Sequence, residues 1–237
     1  PDIQYPQLIP VDISASEWAK SVTFFSMDKV GVAEWFQHQA SDMALADVNR
    51  AKHEHAIHMA GIGYRYTLEE LGHAMQLGIN LSSEKAEAAR RAYEEFVDGV
   101  AISGDTDKGM TGLINDANVT IVNAAHDGTS GSSEFNDKTS ELIVRDVNDL
   151  LTGVYTASLT VEMADTILLP ISVVSLLATK QVPNTTMTVM EWLQRHNVYT
   201  ATTGQPLMIR GIRGLDTAGE GGVGRMVAYR RDPRVLK

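Results

Sequence analysis

Cysteine is absent from all 237 residues. That excludes a disulfide framework, thiolate zinc sites, iron–sulfur clusters and cysteine nucleophiles together, and it is compatible with a reducing compartment. Aromatic residues are also scarce, at 6%. No apolar run approaches the roughly 18 residues that a helix needs to span a bilayer. The longest such stretch, Ile167 to Ala178, is interrupted by Pro170. No basic start followed by an apolar segment marks a signal peptide, and Pro1 in place of methionine points to processing or to an earlier start.

Hydrophobic residues make up 43% and charged residues 21%, the balance of an ordinary folded domain rather than of a disordered or collagen-like chain. Thirty acidic residues against twenty basic ones leave a net charge of −10. That balance argues against binding nucleic acid by phosphate neutralisation over the whole chain. A local basic group remains at Arg210, Arg213, Arg225, Arg230, Arg231 and Arg234. Its expected role is as solvated strand faces and contact residues.

Pro6 and Pro10 argue for an extended arm over the first thirteen residues, lying across its own domain or reaching a neighbour. Ser21 to Met27 (SVTFFSM) reads as a strand, and Ala56 to Tyr66 as its return strand weakened by Gly61 and Gly63. Together they form a long hairpin with poor burial unless another subunit covers it. Thr67 and Glu70 make a capping box before a short helix that ends at Gly78. Ser83 is the expected cap of a longer helix ending at Gly104, with Ala86, Ala89, Tyr93, Phe96, Val97 and Val100 on one face. Then come a turn-rich stretch with a short strand near Val122, a mobile polar loop over 125–140, and an amphipathic helix from Thr139 to Tyr155. The last third alternates: strand Thr166 to Leu169, helices Ser172 to Lys180 and Thr188 to His196, strands Val198 to Ala201 and Leu207 to Ile212. A glycine-rich loop and a final strand, Arg225 to Arg230, close the chain. This is an α+β pattern of mixed layers.

Chemistry-bearing motifs fail on inspection. His53, Glu54, His55 and His58 are dense, but isoleucine at position 57 breaks the H-E-x-x-H zinc pattern. On a strand His53 and His55 would share a face and could bind a metal weakly; the plainer reading is a solvated or intersubunit edge. Asp105, Asp107 and Gly109 resemble a calcium loop, yet Met110 and Asp116 stand where glycine and glutamate are needed. Gly219, Gly221, Gly222 and Gly224 lack the residues of a phosphate-binding loop, and no G-x-S-x-G elbow occurs. No catalytic, cofactor-binding or metal-ligating set is expected, and no cofactor.

Three stretches carry a resemblance to a known family: Tyr64 to Asp105, Met110 to Val122 (MTGLINDANVTIV), and Ala164 to Gln194. In order and spacing they resemble the tailed-phage major capsid proteins of the Hong Kong 97-like fold, in the branch close to encapsulin (linocin-like) shell proteins. The resemblance implies an N-terminal arm over 1–20, an extended hairpin loop over 21–66, and a peripheral domain over 67–140 with a spine helix at 83–103. It further implies a mainly axial domain over 141–214 and a return strand to the peripheral domain over 215–237. Its functional content is a structural subunit, not an enzyme, that self-assembles into hexamers and pentamers of an icosahedral head. Double-stranded DNA is enclosed there without sequence-specific binding, and no membrane is involved. Cement or decoration, portal and scaffold proteins are the implied partners, and the virion, assembled in the host bacterial cytoplasm, is the implied location.

Two departures stand out: relatives usually continue past Arg225–Lys237 through further strands, and the lysine–asparagine crosslink of some relatives has no match here. Ile9, Phe24, Phe25, Trp35, Phe36, Arg210 and Arg213 are the candidate intersubunit contacts. Left open beside this reading are an encapsulin-type shell around protein cargo and an α/β enzyme with an unrecognised site.

Overall fold

The computed structural model describes residues 3–16, 18–30, 47–78, 80–116 and 118–236, with side chains of 28–30 left aside. The chain divides into two units, one of residues 1–11 with 94–237 and one of residues 12–93.

The larger unit is built on a three-stranded sheet in the order β4-β3-β5. Strand β3 (Thr166–Pro170) runs parallel to β4 (Met208–Ile212) and antiparallel to β5 (Val227–Tyr229). All five residues of β3 are buried, as a central strand covered on both faces requires. Alternation sorts its side chains. Ile167 and Leu169 join a cluster with Ile143, Val147 and Leu151 of helix α4 (Ser140–Ala157), Leu177 of α5 (Ile171–Thr179), and Val189 and Leu193 of α6 (Val189–Arg195). Leu168 points the other way, to Leu8, Ile102, Ile212 and Leu215. The parallel return from β3 to β4 is carried by α5, α6 and α7 (Val198–Thr203).

Residues 12–93 hold a two-stranded antiparallel ribbon, β1 (Ser21–Val30) with β2 (Asp47–Ala56), and helix α2 (Leu68–Leu77). The first part of the long helix α3 (Leu81–Ser103) also belongs here, and its residues from Glu94 belong to the larger unit. The capping box of α2 forms as expected, with Glu70 N–H donating to Thr67 Oγ1 at 3.3 Å and Thr67 N–H to the Glu70 carboxylate at 3.1 Å.

The end of α3 explains the GLIN sequence. The last carbonyls of a helix lack intrahelical donors. Here Leu113 N–H donates to Ala101 O and Ile114 N–H to Ile102 O, each at 3.1 Å, while Asn115 Nδ2 donates to Ser103 O at 2.6 Å. Gly112 permits this approach, since a Cβ there would fall 2.3 Å from Gly104 N and 2.5 Å from Ile102 O. Gly104 turns the chain at φ 72°, a left-handed conformation that glycine adopts without strain.

Several sequence expectations are corrected. A helical turn, α1 (Tyr5–Leu8), forms within the expected extended arm, because proline in the first turn gives up no hydrogen bond. The return strand is the polar Asp47–Ala56, with Ser21 opposite Ala56, and not Ala56–Tyr66. A ribbon with neither face buried gives hydrophobicity no means of choosing the register. Asn80, not Ser83, caps α3, its Oδ1 accepting the Ser83 N–H at 3.4 Å. Residues 118–122 find no partner strand among the described residues, and Val119, Ile121 and Val122 lie open. Val198–Ala201 is helical despite its β-branched content, because the Asn197 side chain caps it by accepting the Thr200 N–H at 2.8 Å.

The 125–140 loop, expected to be mobile, is pinned. The Lys138 side chain is 0% exposed. Its Nζ pairs with Asp146 of α4, lies 3.3 Å from Asp127, and donates to Ala125 O at 2.6 Å. Arg145 bonds both Asp127 and Asp146, and its guanidinium holds the Asp127 carboxyl below the usual aspartate range. Removing one partner of a buried pair strands the other charge. Asp146→Ala should therefore cost about 3–5 kcal/mol in urea unfolding of the unassembled chain. The joint replacement Lys138→Met/Asp146→Leu should recover most of that loss.

Candidate functional site

Among the described residues of 12–93, Ala74 is the single buried apolar side chain. Helix α2 carries Leu68, Leu71 and Met75 in a stripe at helical spacing, and Leu68 and Met75 are 90% and 75% exposed. Phe25 and Met27 are exposed on one face of the ribbon. Ile57, Met59, Ile62, Tyr64 and Tyr66 are exposed on the segment that follows it. Polar bonds hold the ribbon: Ser21 Oγ donates to Glu54 at 2.8 Å, and Lys52 pairs with Glu54 at 3.3 Å. Lys85 ties α3 to the preceding segment, donating to Arg65 O at 2.8 Å and to Glu70 at 2.6 Å. These bonds set local shape; they do not shield the apolar side chains.

The opposite face of the ribbon brings His53 and His55 together with Phe24, the shared face expected from sequence. Phe24 stacks on both imidazoles, with centroids 5.2 and 5.4 Å away, and Ser26 Oγ lies 3.1 Å from His53 Nε2. The rings thus serve as an aromatic surface. Among the described residues no group of three or more His, Cys, Asp or Glu is placed to hold a metal ion. Two hollows occur. One of about 360 Å³ is lined by Glu69, Glu70, His73, Ala74, Leu77, Leu81 and Glu84. The other, about 150 Å³, lies against Gln4, Gln7, Leu8, Arg210, Gly211 and Ile212.

In the larger unit the segment 4–9 is latched to the rest of that unit. Asp98, buried on α3, accepts the N–H groups of Gln4 at 2.9 Å and Tyr5 at 2.7 Å, a remote cap for the turn α1. Tyr229 Oη donates to Leu8 O at 2.8 Å, Arg231 donates to Pro6 O at 3.2 Å, and Arg210 donates to Gln7 Oε1. Leu8 is buried in the cluster below, with Ile9 half-buried against it.

The candidate contacts are thus dispersed. Phe25 is exposed, Phe24 is half-buried in its histidine stack, and Ile9 and Arg210 belong to the latch. Arg213 is exposed beyond β4, and Trp35 and Phe36 lie outside the described residues. Asp98 and Lys138 escape a sequence reading. The one available signal for Asp98 is its place four residues before Ile102, on a stripe rotated one step from the expected face. Tyr93 and Phe96, on the expected face, are exposed.

The family described as major capsid protein matches residues 31–237 by its family model. No curated protein matches the chain significantly. Among solved structures the chain is similar to one from the capsid of Myoviridae phage XM1, with 18% identity and a TM-score of 0.72 over 98% of this chain and 76% of that one. The fold is Hong Kong 97-like.

Burial pushes the Tyr229 hydroxyl up to about 12. A raised value means the folded state keeps the neutral phenol that the latch needs as a donor. The Tyr229 contribution is therefore complete below pH ~10 and lost as pH rises through about 12. Urea unfolding of the wild type should weaken between about pH 9 and about pH 11 more than that of Tyr229→Phe. The variant should itself cost about 1 kcal/mol at neutral pH. Equal pH slopes would contradict this role.

Proposed function

The chain belongs to the major capsid protein family and is a structural shell protein of a phage head; from that premise we propose how it assembles and what it meets. Copies associate into hexamers and pentamers that close an icosahedral head around double-stranded DNA, with no enzymatic step by this chain. Assembly takes place in the host bacterial cytoplasm, and portal, scaffold and cement proteins are the further partners.

The observation that carries this reading is the set of large apolar side chains left exposed among the described residues of 12–93. Large continuous apolar surfaces are rare on monomers and mark interaction sites. Each such side chain covered by a neighbour contributes roughly 1.5–3 kcal/mol. Contacts of this size are modest singly, and repetition across many copies supplies closure. The ribbon residues Phe24 and Phe25, with Trp35 and Phe36, are proposed to meet neighbouring subunits, as are Arg210, Arg213 and Ile9. A net charge of −10 fits a wall along which packaged DNA slides rather than adheres.

Light scattering on a sizing column with negative-stain imaging tests the reading. Megadalton icosahedra, or rings of five and six, are the expected result, and a monomer or dimer at every concentration and salt would overturn it. Nucleic acid inside the particles is expected; enclosed enzyme instead would mark a cargo shell. Phe25→Ser/Leu68→Ser should leave the melting temperature of unassembled chains unchanged within about 2 °C, since both side chains are already exposed, and should abolish particles.

A further inference from the structure

The turn joining α4 to β3 combines costly backbone with open apolar side chains. Leu159 and Thr160 are consecutive residues in the left-handed region, at φ 55° and 65°. Branched side chains are rare there, and glycine or asparagine would hold the same turn with less strain. Neither residue is compensated by burial: Leu159 is 84% exposed, and Val161 beside it 72%.

The conformation is nonetheless firmly set. Ser158 Oγ lies 2.9 Å from Tyr155 O and 2.8 Å from Glu162 O, and it accepts the Glu162 N–H at 3.0 Å. Thr160 N–H donates to Tyr155 O at 2.9 Å. At the base of the turn Glu162 pairs with Arg230, and Met163 and Ala164 are buried. The result is a braced tip that presents Leu159 and Val161 outward. A turn alone requires neither residue, and within the chain neither Leu159 nor Val161 is covered.

We propose that this tip, Leu159 to Val161, is a preformed contact against a second copy of the chain, a reading that rests on the shell function above. A shell subunit is surrounded by copies of itself. The tip is uncharged, and its neighbouring acid is already paired with Arg230, so it offers nothing to the phosphates of DNA. A small apolar plug on a braced base fits an apolar surface of another subunit, and rigidity lowers the entropy lost on docking.

Two variants of the full chain test this: Leu159→Asn, which suits left-handed backbone but is polar, and Val161→Ser, which leaves the strained positions alone. The melting temperature of unassembled chains and the concentration at half-assembly are read for each. Leu159→Asn should melt about 2–4 °C higher, as relieved strain predicts. Both variants should need about tenfold more protein to assemble. Assembly unchanged in both, beside a wild type that assembles, would overturn the contact while leaving the shell function intact. A lower melting temperature in both would give the tip a role in folding alone and overturn the proposal. A wild type that forms no particles would overturn the shell function and the contact with it.

Discussion

Burial is unevenly distributed along this chain, and most of its behaviour follows from that. Residues 140–236 bury side chains from both faces of a sheet, whereas the described part of 12–93 buries Ala74 and leaves leucines, methionines, tyrosines and a phenylalanine in water. A two-stranded ribbon is marginal in water by itself, because its hydrogen bonds replace bonds to solvent at little net gain. The ribbon here is ten residues long on each side, with no third strand among the described residues. Such a segment gains its stability from surfaces outside itself. The assembly proposed above supplies such surfaces on neighbouring copies.

The larger unit has the opposite character. Several of its polar groups are answered within the chain: the carbonyls ending α3 by Leu113, Ile114 and Asn115, the segment 4–9 by Asp98 and Tyr229, and Lys138 by Asp146 and Asp127, while the buried Gln4 Oε1 has no partner among the described residues. Each of these fixes a segment with too few apolar residues to hold itself. Buried charge is costly and adds little net stability over apolar packing, but it favours one arrangement. A subunit that must join many identical neighbours benefits from a body of fixed shape. The latch also places residues 4–9 within the fold of the larger unit.

Elements whose signals are local were legible in the sequence. The Thr67–Glu70 box and the Thr139-capped helix depend on residues within a turn of each other, and the strand expected over Thr166 to Leu169 shows in its own unbroken apolar run. The expectations that failed depend on distant partners. Asp98 meets residues more than ninety positions away, and Tyr229 meets Leu8 across 221. The register of the ribbon could not be read because no buried face selects it, and a hydrophobic segment was preferred over the polar one that pairs. Residues 198–203 failed for a different reason: the Asn197 cap outweighed the strand preference of valine, tyrosine and threonine. The family resemblance lay in the order of elements, and no catalytic motif contributed to it. For a shell protein the site is distributed surface, which has no short signature.

Hydrogen exchange, followed by mass spectrometry on unassembled chains and on closed particles, tests the central claim most directly. Amides of 47–56 and 68–77 should exchange rapidly in free chains and slow by orders of magnitude in particles, while those of 140–157 and 166–170 should be protected in both. Equal, strong protection of 47–56 and 68–77 before assembly would contradict the account, because that segment would then be stable without its neighbours.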